Sequence, residues 1–359
     1  MRRAARKGVA RAFYNPPMAL TLQQGVSLKA LSTFGVDARA AWFARVQSVA
    51  DLQHLQDDAR LRDLPRLLLG GGSNVLFVGD FAGLVIQPAL RGVALCGQTE
   101  EDRLVQVGAG ETWADLVEQL VREGRAGLEN LALIPGWAGA APIQNIGAYG
   151  LELAQRLHCV RVWEAQSNAC RDMRPEDCAL GYRDSVFKRD RDGERVVLSI
   201  TLRLPLRWEP ITGYAELDRE LAARGLGRPS ARDIFEAVCA LRRRKLPDPA
   251  KLGNAGSFFK NPVVERAHHV QLLERFPSIV SYPLAGGRFK IAAAWLIQSC
   301  GMRAVRRGAV GTYEHQALVL VNHGGATGAQ VLGLAREVQH RVEEKFGIRL
   351  EPEVRIVGA

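Results

Sequence analysis

Residues 253–261 hold the side chains of this sequence that are best suited to chemistry. Ser257 lies here between glycines and a pair of phenylalanines, and Lys260 and Asn261 follow directly. Glycine lets the backbone adopt positive φ angles and lets a ligand come close to it. The aromatic rings can exclude water, and the lysine and asparagine can hold an anionic, polar ligand. We therefore predict that Ser257 delivers a proton to a bound molecule. A plain Gly-Ser turn ahead of a strand is the alternative, because these residues are also ordinary turn formers.

A glycine-rich turn is predicted directly after the apolar residues 67–69, which we interpret as a buried strand. A strand that runs into such a turn exposes consecutive backbone N–H groups, and these can bind an anion. The segment is not the dinucleotide fingerprint G-x-G-x-x-G, and no long helix is predicted to follow it. A plain tight turn would need fewer glycines, so we favour contact with a ligand through Gly70, Gly71, Gly72, Ser73 and Asn74.

Residues 133–150 contain no charged side chain and are rich in glycine and alanine. Such a run cannot fill a core with its own side chains, so we expect it to press against a large, flat group. A cofactor ring and an adjoining helix both qualify, and we favour the cofactor.

Hydrophobic periodicity and turn residues place these motifs among strands and helices. The predicted strands are residues 43–46, 67–69, 75–78, 104–107, 158–164, 196–204, 317–322 and 350–357. The predicted helices are residues 49–58, with Ser48 as the cap, 112–122, 231–244, 292–300 and 327–346. Pro247 and Pro249 break the chain after the third of these helices, so a domain boundary is expected there.

The length of 359 residues predicts two or three domains, each with its own core. Contents of 47% apolar and 24% charged residues are typical of a soluble globular protein. No apolar run reaches the ~18–20 residues that a membrane-spanning helix needs, so we predict no membrane association. The six cysteines form no C-x-x-C pair, and no histidine lies at metal-ligand spacing beside them. We therefore predict reduced thiols, a cytoplasmic protein and no metal site.

The formal net charge of +10 first suggests a nucleic-acid partner. Half of this excess comes from a stretch without acids that precedes Pro16, namely Arg2, Arg3, Arg6, Lys7 and Arg11. We interpret residues 1–21 as a disordered or over-extended leader, with Met18 as a candidate initiator. The basic cluster at residues 242–245 suits a phosphate on a small ligand as well as it suits a polymer, and a solvated helix end is equally compatible with its middle residues. Basic and aromatic residues do not alternate as they do on a stacking surface, so we predict no nucleic-acid partner.

Seven segments carry a further signal when they are taken together: residues 33–35, 70–77, 134–150, 181–188, 245–249, 253–264 and 350–357. In content and order they resemble the UDP-N-acetylenolpyruvoylglucosamine reductase family, the flavoenzymes of bacterial peptidoglycan precursor synthesis. Each segment alone could arise by chance, whereas seven in register across residues 27–358 are highly specific. The regions around Tyr182 and Tyr282 are similar to the longer subtype, which carries an extra tyrosine-bearing loop in the substrate domain.

The resemblance implies an α+β fold with a two-subdomain FAD-binding module of the vanillyl-alcohol-oxidase type and a third, α/β, substrate-binding domain. Residues 22–91 would form the first FAD-binding subdomain. Residues 92–246 would form the second, completed by residues 347–359, and residues 247–346 would form the substrate-binding domain.

The resemblance also implies a reaction in two halves. NADPH first reduces non-covalently bound FAD and leaves, and the enolpyruvyl ether of UDP-N-acetylglucosamine takes its place. Flavin N5 delivers a hydride to the terminal vinyl carbon, and a proton reaches the neighbouring carbon to give UDP-N-acetylmuramate. The addition leaves enolate-like charge beside the carboxylate, which explains why such an enzyme needs a cation and a proton donor.

Three residues match the catalytic positions of the family. Arg183 matches the cation that holds the substrate carboxylate, Ser257 matches the proton donor, and Glu353 matches an acid that hydrogen-bonds the carboxylate. From the sequence alone, Arg183 could instead pair with Asp184 or another surface acid. Glu351 could take the place of Glu353, because residues two apart in a strand face the same side, and the family pattern selects Glu353.

Further positions match residues that bind the substrate or the cofactor in the family. The UDP-sugar would contact Tyr182, Tyr214, Arg242, Lys245, Asn261, Tyr282 and Gln316, with Lys245 and Tyr214 suited to the diphosphate and Tyr282 matching a mobile tyrosine that covers the substrate. FAD would contact residues 70–74 together with Ile134, Pro135, Gly136, Gly139, Gln144, Asn145 and Gly147. Some relatives have serines where this chain has Ala140 and Ala141, so a hydroxyl contact to the flavin there must be absent or made by the backbone. Trp137 is bulkier than most residues at its position.

Another FAD-dependent oxidase or dehydrogenase on the same cofactor module is the alternative function. It would explain residues 33–150 but not the segment around Ser257. We expect a monomer whose partners are the UDP-sugar substrate and NADPH.

Overall fold

The computed structural model describes residues 20–190 and 193–358. The chain divides into two compact units, and neither is continuous in sequence. The first unit contains residues 20–26, Ala41–Gly71 and Ala82–Arg242, and the second contains Ser27–Ala40, Gly72–Phe81 and residues 243–358. Most of the predicted basic leader, up to residue 19, lies outside the described residues.

Within the described residues the chain forms eight α-helices and twenty strands, which confirms the α+β class. The helices are α1 (Val49–Asp57), α2 (Trp113–Arg122), α3 (Val186–Arg189), α4 (Ala215–Ala223), α5 (Ala231–Lys245), α6 (Arg266–Arg275), α7 (Ala293–Ser299) and α8 (Gly328–Phe346). The strands are β1 (Leu22–Ser27), β2 (Arg39–Val46), β3 (Arg66–Leu68), β4 (Val75–Phe77), β5 (Phe81–Pro88), β6 (Val93–Gln98), β7 (Asp102–Gly108), β8 (Gly147–Ala148), β9 (Leu151–Glu152), β10 (Leu157–Glu164), β11 (Ala169–Met173), β12 (Arg195–Pro205), β13 (Gly253–Ser257), β14 (Val263–Val264), β15 (Ser281–Pro283), β16 (Phe289–Ile291), β17 (Arg306–Arg307), β18 (Val310–Thr312), β19 (Val319–Asn322) and β20 (Arg355–Val357).

The first unit contains a five-stranded antiparallel sheet and most of a four-stranded sheet of the order β1-β2-β5-β3. The five-stranded sheet has the order β11-β10-β12-β7-β6, and paired residues such as Val160 and Ile200 are fully buried. Helix α2 packs into the same core, because Trp113, Leu116 and Leu120 recur at helical spacing along one face. This core supports the loops that carry the predicted cofactor residues of the first unit.

Capping groups define where several helices begin and end. The Ser48 hydroxyl accepts a hydrogen bond from the Asp51 N–H, and the Asp51 carboxylate accepts one from the Ser48 N–H. Thr327 and Gln330 form the same capping box at the start of α8, and Gly347 ends that helix with a φ angle of 66°. The predicted helices at residues 49–58 and 327–346 are therefore confirmed to within one residue.

In the second unit, β13 lies at the edge of a sheet of the order β13-β19-β18-β17. Helix α8 contacts β18, β19 and α7 with an apolar face that includes Val331, Val338 and Val342. Strand β20 pairs in parallel with β4, with Arg355 opposite Val75. The end of the chain therefore returns to the residues that follow the glycine-rich turn.

The predicted strand at residues 350–357 is too long. The structure retains only β20, and Pro352 makes an isolated bridge with Phe259. Proline has no N–H to donate to a ladder, so the regular strand begins after it.

The expectation that residues 133–150 cannot fill a core is wrong in part. Ala138, Ala141 and Ile146 are buried in the core of the first unit. Small side chains suffice there because backbone segments come close together: a side chain on Gly139 would lie 2.5 Å from the Ala109 side chain.

In the described residues no helix combines the length and apolar character needed to cross a membrane. The boundary between the two compact units falls within α5, at Arg243. The predicted division into residues 22–91, 92–246 and 247–346 stays a prediction.

Candidate functional site

Ser257 is the last residue of β13, where a β-bulge sets its position in the second unit. Asn254 lies opposite Val321 and Ser257 opposite Val319, so β13 carries one extra residue between these pairs. Gly256 accommodates the bulge with a φ angle of 67°, in the left-handed region that favours glycine. Ser257 is partly exposed, and its hydroxyl forms no hydrogen bond within residues 20–190 and 193–358. It is therefore available to a bound molecule.

Asn254 builds the bulge with its side chain, although it is not among the predicted site residues. It is 4% exposed. Its Nδ2 donates to the carbonyls of Pro247 (3.2 Å) and Leu252 (2.8 Å), and its Oδ1 accepts from the Gly256 N–H (2.9 Å). The last bond is an Asx-turn, whose sequence signal is an asparagine two residues before a glycine.

The C-terminal segment lies alongside the residues that follow Ser257. The N–H of Glu353 donates to the carbonyl of Phe258 at 2.8 Å. Glu353 is 9% exposed, whereas the side chain of Glu351 is 71% exposed and pairs with Lys260 at 2.9 Å. The structure therefore favours Glu353 over Glu351 as the acid buried close to Ser257.

Phe258 and Phe259 anchor this segment, and both are fully buried. Their ring centroids are 5.1 Å apart, and Phe258 also packs edge-on against Phe34 at 6.3 Å. Because Ser257 is bonded directly to the buried Phe258, its backbone has little freedom to move.

Asn261 and Gln316 each contact an element close to the Ser257 segment: Asn261 contacts α7, and Gln316 contacts the start of β19. The Asn261 Oδ1 accepts a hydrogen bond from the Ala293 N–H at 2.9 Å and so caps α7. Gln316 lies in the hairpin between β18 and β19, and its carbonyl accepts from the N–H of Val319, the residue opposite Ser257. Gln316 is partly exposed at this hairpin.

Tyr282 and Lys245 occupy other positions of the second unit. Tyr282 is 47% exposed on β15, opposite Lys290, whose Nζ lies 6.0 Å from the ring centroid. Lys245 is the last residue of α5 and is partly exposed. An exposed tyrosine on a short strand agrees with the expected mobile cover, which stays a prediction.

Arg183 lies in the first unit, in a tight turn closed by two backbone hydrogen bonds between Gly181 and Asp184. Its φ angle is 54°, in a region that non-glycine residues seldom occupy. The guanidinium donates from Nη1 to the carbonyl of Asn145 (3.4 Å) and from Nη2 to the carbonyl of Gly147 (2.9 Å). Asp184, the alternative partner, instead pairs with Arg189 at 3.3 Å.

Arg242 brings a second guanidinium close to Arg183. Burial lowers the pKa of Arg242, the phenol of Tyr149 raises it, and the positive charge of Arg183 lowers it further. The Arg242 Nε forms no hydrogen bond to any described residue. Two guanidiniums in one region form a setting that favours an anionic group.

Aromatic side chains line the same part of the first unit. The rings of Tyr149 and Tyr214 pack edge to face, with centroids 5.4 Å apart, and Tyr214 is 41% exposed at the start of α4. Tyr182 lies beneath the Arg183 guanidinium, 5.5 Å from it. The structure thus places Arg183, Arg242, Tyr182 and Tyr214 in one unit and close to the charge-free loop.

Two glycine-rich segments of the first unit pack directly on each other. A side chain on Gly71 would lie 3.0 Å from the Cα of Gly136 and 3.1 Å from Cδ1 of Trp137. The Trp137 ring also packs under the Arg91 guanidinium at 5.6 Å. The bulky tryptophan therefore covers the glycine turn and packs against an arginine. Ala140 lies next to Gly70, and its methyl group brings no hydroxyl to this contact.

The donor groups of these segments fit the phosphates of FAD. The N–H groups of Gly70 and Gly71 have no hydrogen-bond partner among the described residues. Ile134, Pro135 and Gly136 add a neighbouring surface without charged side chains. Free backbone donors at the end of a strand suit phosphate oxygens, and an uncharged loop suits a flat ring.

The remaining turn residues belong to the second unit and hold β4 in place. The N–H of Thr33 donates to the carbonyl of Gly72 at 3.0 Å, and a side chain on Gly72 would overlap the carbonyl of Leu31. The Nδ2 of Asn74 donates to the carbonyl of Glu353 at 3.3 Å. Part of the predicted cofactor turn is therefore tied to the residue predicted to assist catalysis.

Among the described residues, no group of three or more His, Cys, Asp or Glu side chains could hold a metal ion. A cleft of about 600 Å³ lies in the second unit between Thr33, Lys251 and His323, and none of the predicted site residues lines it.

Two family models match the chain, and each covers part of the predicted site. The model described as "FAD binding domain" matches residues 40–171, which include both glycine-rich segments. The model described as "UDP-N-acetylenolpyruvoylglucosamine reductase, C-terminal domain" matches residues 248–357, which include Ser257 and Glu353.

Curated relatives and a solved structure extend the match to nearly the whole chain. The UDP-N-acetylenolpyruvoylglucosamine reductase of Burkholderia multivorans is 51% identical over 337 residues, which is 93% of this chain and 97% of that protein. The enzyme of the same name from Ralstonia nicotianae is 50% identical and covers 90% of this chain and 95% of its own length. The crystal structure of UDP-N-acetylenolpyruvylglucosamine reductase from Thermus caldophilus aligns with a TM-score of 0.65 at 25% identity, over 94% of this chain and 99% of that one.

Proposed function

Because the chain belongs to the UDP-N-acetylenolpyruvoylglucosamine reductase family, we propose that it reduces the enolpyruvyl ether of UDP-N-acetylglucosamine to UDP-N-acetylmuramate, with FAD as cofactor and NADPH as reductant. The chain is an FAD-dependent oxidoreductase of peptidoglycan precursor synthesis. The observation that carries the proposed chemistry is the unbonded hydroxyl of Ser257, held on a bulge next to a buried glutamate.

The substrate determines which groups the chain must supply. When bound, FAD supplies the hydride that the terminal vinyl carbon receives. The neighbouring carbon then carries negative charge that spreads onto the carboxylate, and this charge must be stabilised and protonated. The chain must therefore provide a cation for the carboxylate and an acid for the carbon.

Arg183 is proposed to hold the substrate carboxylate. Its two carbonyl contacts fix the plane of the guanidinium. A guanidinium pairs with a carboxylate through two parallel hydrogen bonds, which is stronger and more directional than a single contact. Arg242 belongs to the same unit, close enough for the charge of Arg183 to lower its pKa, and is proposed to add a second positive charge that favours the developing anion.

Ser257 is proposed to protonate the carbon. Its O–H bond breaks as the new C–H bond forms, and the resulting alkoxide regains a proton from water. A serine hydroxyl is a weak acid, so the step relies on the strong basicity of the enolate. Glu353, in its protonated form, is proposed to donate a hydrogen bond to the substrate carboxylate.

The binding assignments remain proposals. For the UDP-sugar they are Tyr182, Tyr214, Arg242, Lys245, Asn261, Tyr282 and Gln316, which offer ammonium, guanidinium, phenol and amide donors to an anionic ligand. For FAD they are residues 70–74 together with Ile134, Pro135, Gly136, Gly139, Gln144, the backbone of Asn145, and Gly147, where the free N–H groups of Gly70 and Gly71 support contact with phosphate.

Two finer properties are also proposed. We propose that the protein is a monomer, which light scattering of the purified protein at several concentrations tests directly. We propose that it acts in the cytoplasm, and fractionation of cells that express the tagged protein tests this.

A spectroscopic titration tests the proposed function. The purified protein is expected to show the visible absorbance of oxidised flavin, to lose it on anaerobic addition of NADPH, and to regain it on addition of the enolpyruvyl UDP-sugar. UDP-N-acetylmuramate should appear in equal amount. If simple alcohols reduce the flavin and the enolpyruvyl sugar does not reoxidise it, the chain is instead another flavin-dependent oxidase or dehydrogenase.

A further inference from the structure

Both polar atoms of the Asn145 side chain form hydrogen bonds within the protein. It is 2% exposed. Its Nδ2 donates to the carbonyl of Gly181 (3.1 Å) and to a carboxylate oxygen of Glu152 (3.0 Å), and its Oδ1 accepts from the N–H of Ala154 (3.0 Å). Both N–H bonds of the amide are used, so this side chain has no donor left for a cofactor or substrate.

These bonds join the loop that contains Asn145 to the turn that contains Arg183. From the turn, the Arg183 guanidinium donates to the carbonyls of Asn145 and Gly147. From the loop, the Asn145 amide donates back to Gly181, the first residue of the turn. The Ser185 hydroxyl donates to the carbonyl of Ile143 at 2.6 Å and closes the far end. Asn145 therefore contacts the turn twice: its amide donates to the backbone carbonyl of Gly181, and its own carbonyl accepts from the guanidinium of Arg183.

The backbone at both residues is in the left-handed region. The φ angle is 43° at Asn145 and 54° at Arg183. Asparagine tolerates this region better than most residues, whereas arginine has no such preference. A strained residue keeps its conformation only when its surroundings hold it there, and such strain is typical of functional positions. The amide of Asn145 supplies one of the bonds that hold the turn.

We propose that Asn145 is a positioning residue that acts through Arg183: its amide holds the turn that aims the guanidinium at the substrate carboxylate. This inference rests on the proposed function. It also gives Asn145 a different role from the one expected of a residue that contacts FAD, because its effect should appear when the enolpyruvyl substrate reacts.

The substitution Asn145→Asp tests the proposal with little change in shape. Aspartate also tolerates a positive φ angle and keeps the acceptor for Ala154, but it loses the donors to Gly181 and Glu152 and places a carboxylate beside the Gly181 carbonyl and the Glu152 carboxylate. We expect flavin reoxidation by the enolpyruvyl sugar to slow by about 10²-fold, as for a misplaced catalytic group. FAD content and the rate of flavin reduction by NADPH should change far less. Stopped-flow absorbance measures both rates.

A double-mutant cycle shows whether the effect passes through Arg183. If it does, the variant that combines Asn145→Asp with Arg183→Ala reoxidises no more slowly than Arg183→Ala alone. Multiplied effects of the two changes would overturn the proposal, and so would loss of both half-reactions in the single variant. Wild-type rates in Asn145→Asp would also overturn it while leaving the proposed function intact, because the wild-type protein and Arg183→Ala test that function separately.

Asn168→Ala is the matched control. Asn168 also has a positive φ angle, 48°, and its Oδ1 accepts a hydrogen bond from Trp163 at 3.2 Å, away from the turn. Its variant should keep both half-reactions at wild-type rates. Thermal unfolding followed by circular dichroism should show that each variant is folded at the temperature of the assay.

Discussion

The hydroxyl of Ser257 is needed in only one of the two halves of the proposed reaction. In Ser257→Ala the proton donor is lost while the bulge and its backbone bonds remain. We expect reoxidation of the reduced flavin by the enolpyruvyl sugar to slow by about 10²–10⁴-fold, the usual contribution of a general acid. Reduction of the flavin by NADPH should stay near the wild-type rate, because no proton passes through Ser257 in that step. Anaerobic stopped-flow measurements of each half-reaction check this.

Ser32 provides the control for the serine variant. It belongs to the second unit, it is buried, and its hydroxyl has no hydrogen-bond partner among the described residues. Ser32→Ala should therefore preserve both rates. An equal fall of both half-reactions in Ser257→Ala would mean that the residue is structural.

Cysteine reactivity tests the burial of individual side chains. Cys178 is fully buried, and burial raises the pKa of its thiol to about 12, helped by the nearby charge of Asp177. Cys170 is exposed on β11. Only a thiolate reacts readily, so iodoacetamide at neutral pH should label Cys170 and spare Cys178 in the folded protein. Mass spectrometry of the digested protein measures the labelling.

The same raised pKa predicts a trend in stability with pH. The neutral thiol of Cys178 is favoured in the folded state, so its contribution to stability is present below the ordinary thiol pKa of 9.0 and is lost as the pH rises from 9.0 towards about 12. Replacement by alanine should make denaturant unfolding less sensitive to pH above 9.0. Labelling of Cys178 before Cys170 would contradict the assigned burial.

The bulge in β13 depends on Asn254. In Asn254→Ala three backbone groups lose their partner, the buried one of Pro247 and the partly buried ones of Leu252 and Gly256. We expect a loss of about 1–3 kcal/mol in the free energy of unfolding, since unsatisfied buried groups are costly. Because Ser257 directly follows the bulge, substrate-driven reoxidation should also slow. Urea unfolding and stopped-flow kinetics measure the two effects.

A second buried asparagine, Asn322, distinguishes an effect on the stability of the protein from an effect on the position of Ser257. Asn322 is 7% exposed and makes three comparable bonds, donating to the carbonyl of Phe34 and accepting from the N–H groups of Gly324 and Ala326. It lies opposite Gly253, at the other end of β13 from Ser257. Asn322→Ala should lose similar stability but keep its reoxidation rate. Equal kinetic effects in the two variants would show that the bulge does not position the serine.

Elements with strong local signals could be predicted from the sequence. Helix α8 has a capping box at Thr327, a regular apolar face and a terminal glycine, and α1 has the same box at Ser48. Strand β6 and helix α6 give no such signal, because their residues are mostly exposed and their apolar pattern is weak. Short strands such as β15 depend on their partners, since three residues carry too little periodicity to mark a strand.

Local patterns in the sequence do not reveal which distant segments share a compact unit. Val75 pairs with Arg355, and the second unit combines three separate stretches of the sequence. Pairing over such a distance leaves no mark on local periodicity. The family resemblance indicated Arg183, Ser257 and Glu353, but not that the Asn145 amide bonds to Gly181, because that contact depends on the fold of the chain.

Bound FAD should stabilise the whole molecule. A ligand that binds only the folded state raises the free energy of unfolding by about 2.7 kcal/mol at a hundredfold excess over its dissociation constant. Removal of FAD should therefore lower the melting temperature, and adding it back should restore the melting temperature in proportion to the logarithm of its concentration.

In Gly71→Ala the new methyl group would lie 3.0 Å from the Cα of Gly136, so the two glycine-rich segments must separate and the increment in melting temperature from FAD should shrink. Differential scanning calorimetry of both proteins across an FAD series measures the increments. A melting temperature that does not depend on FAD would mean that the folded chain does not bind it, whereas an increment unchanged in Gly71→Ala would place the cofactor outside these two segments.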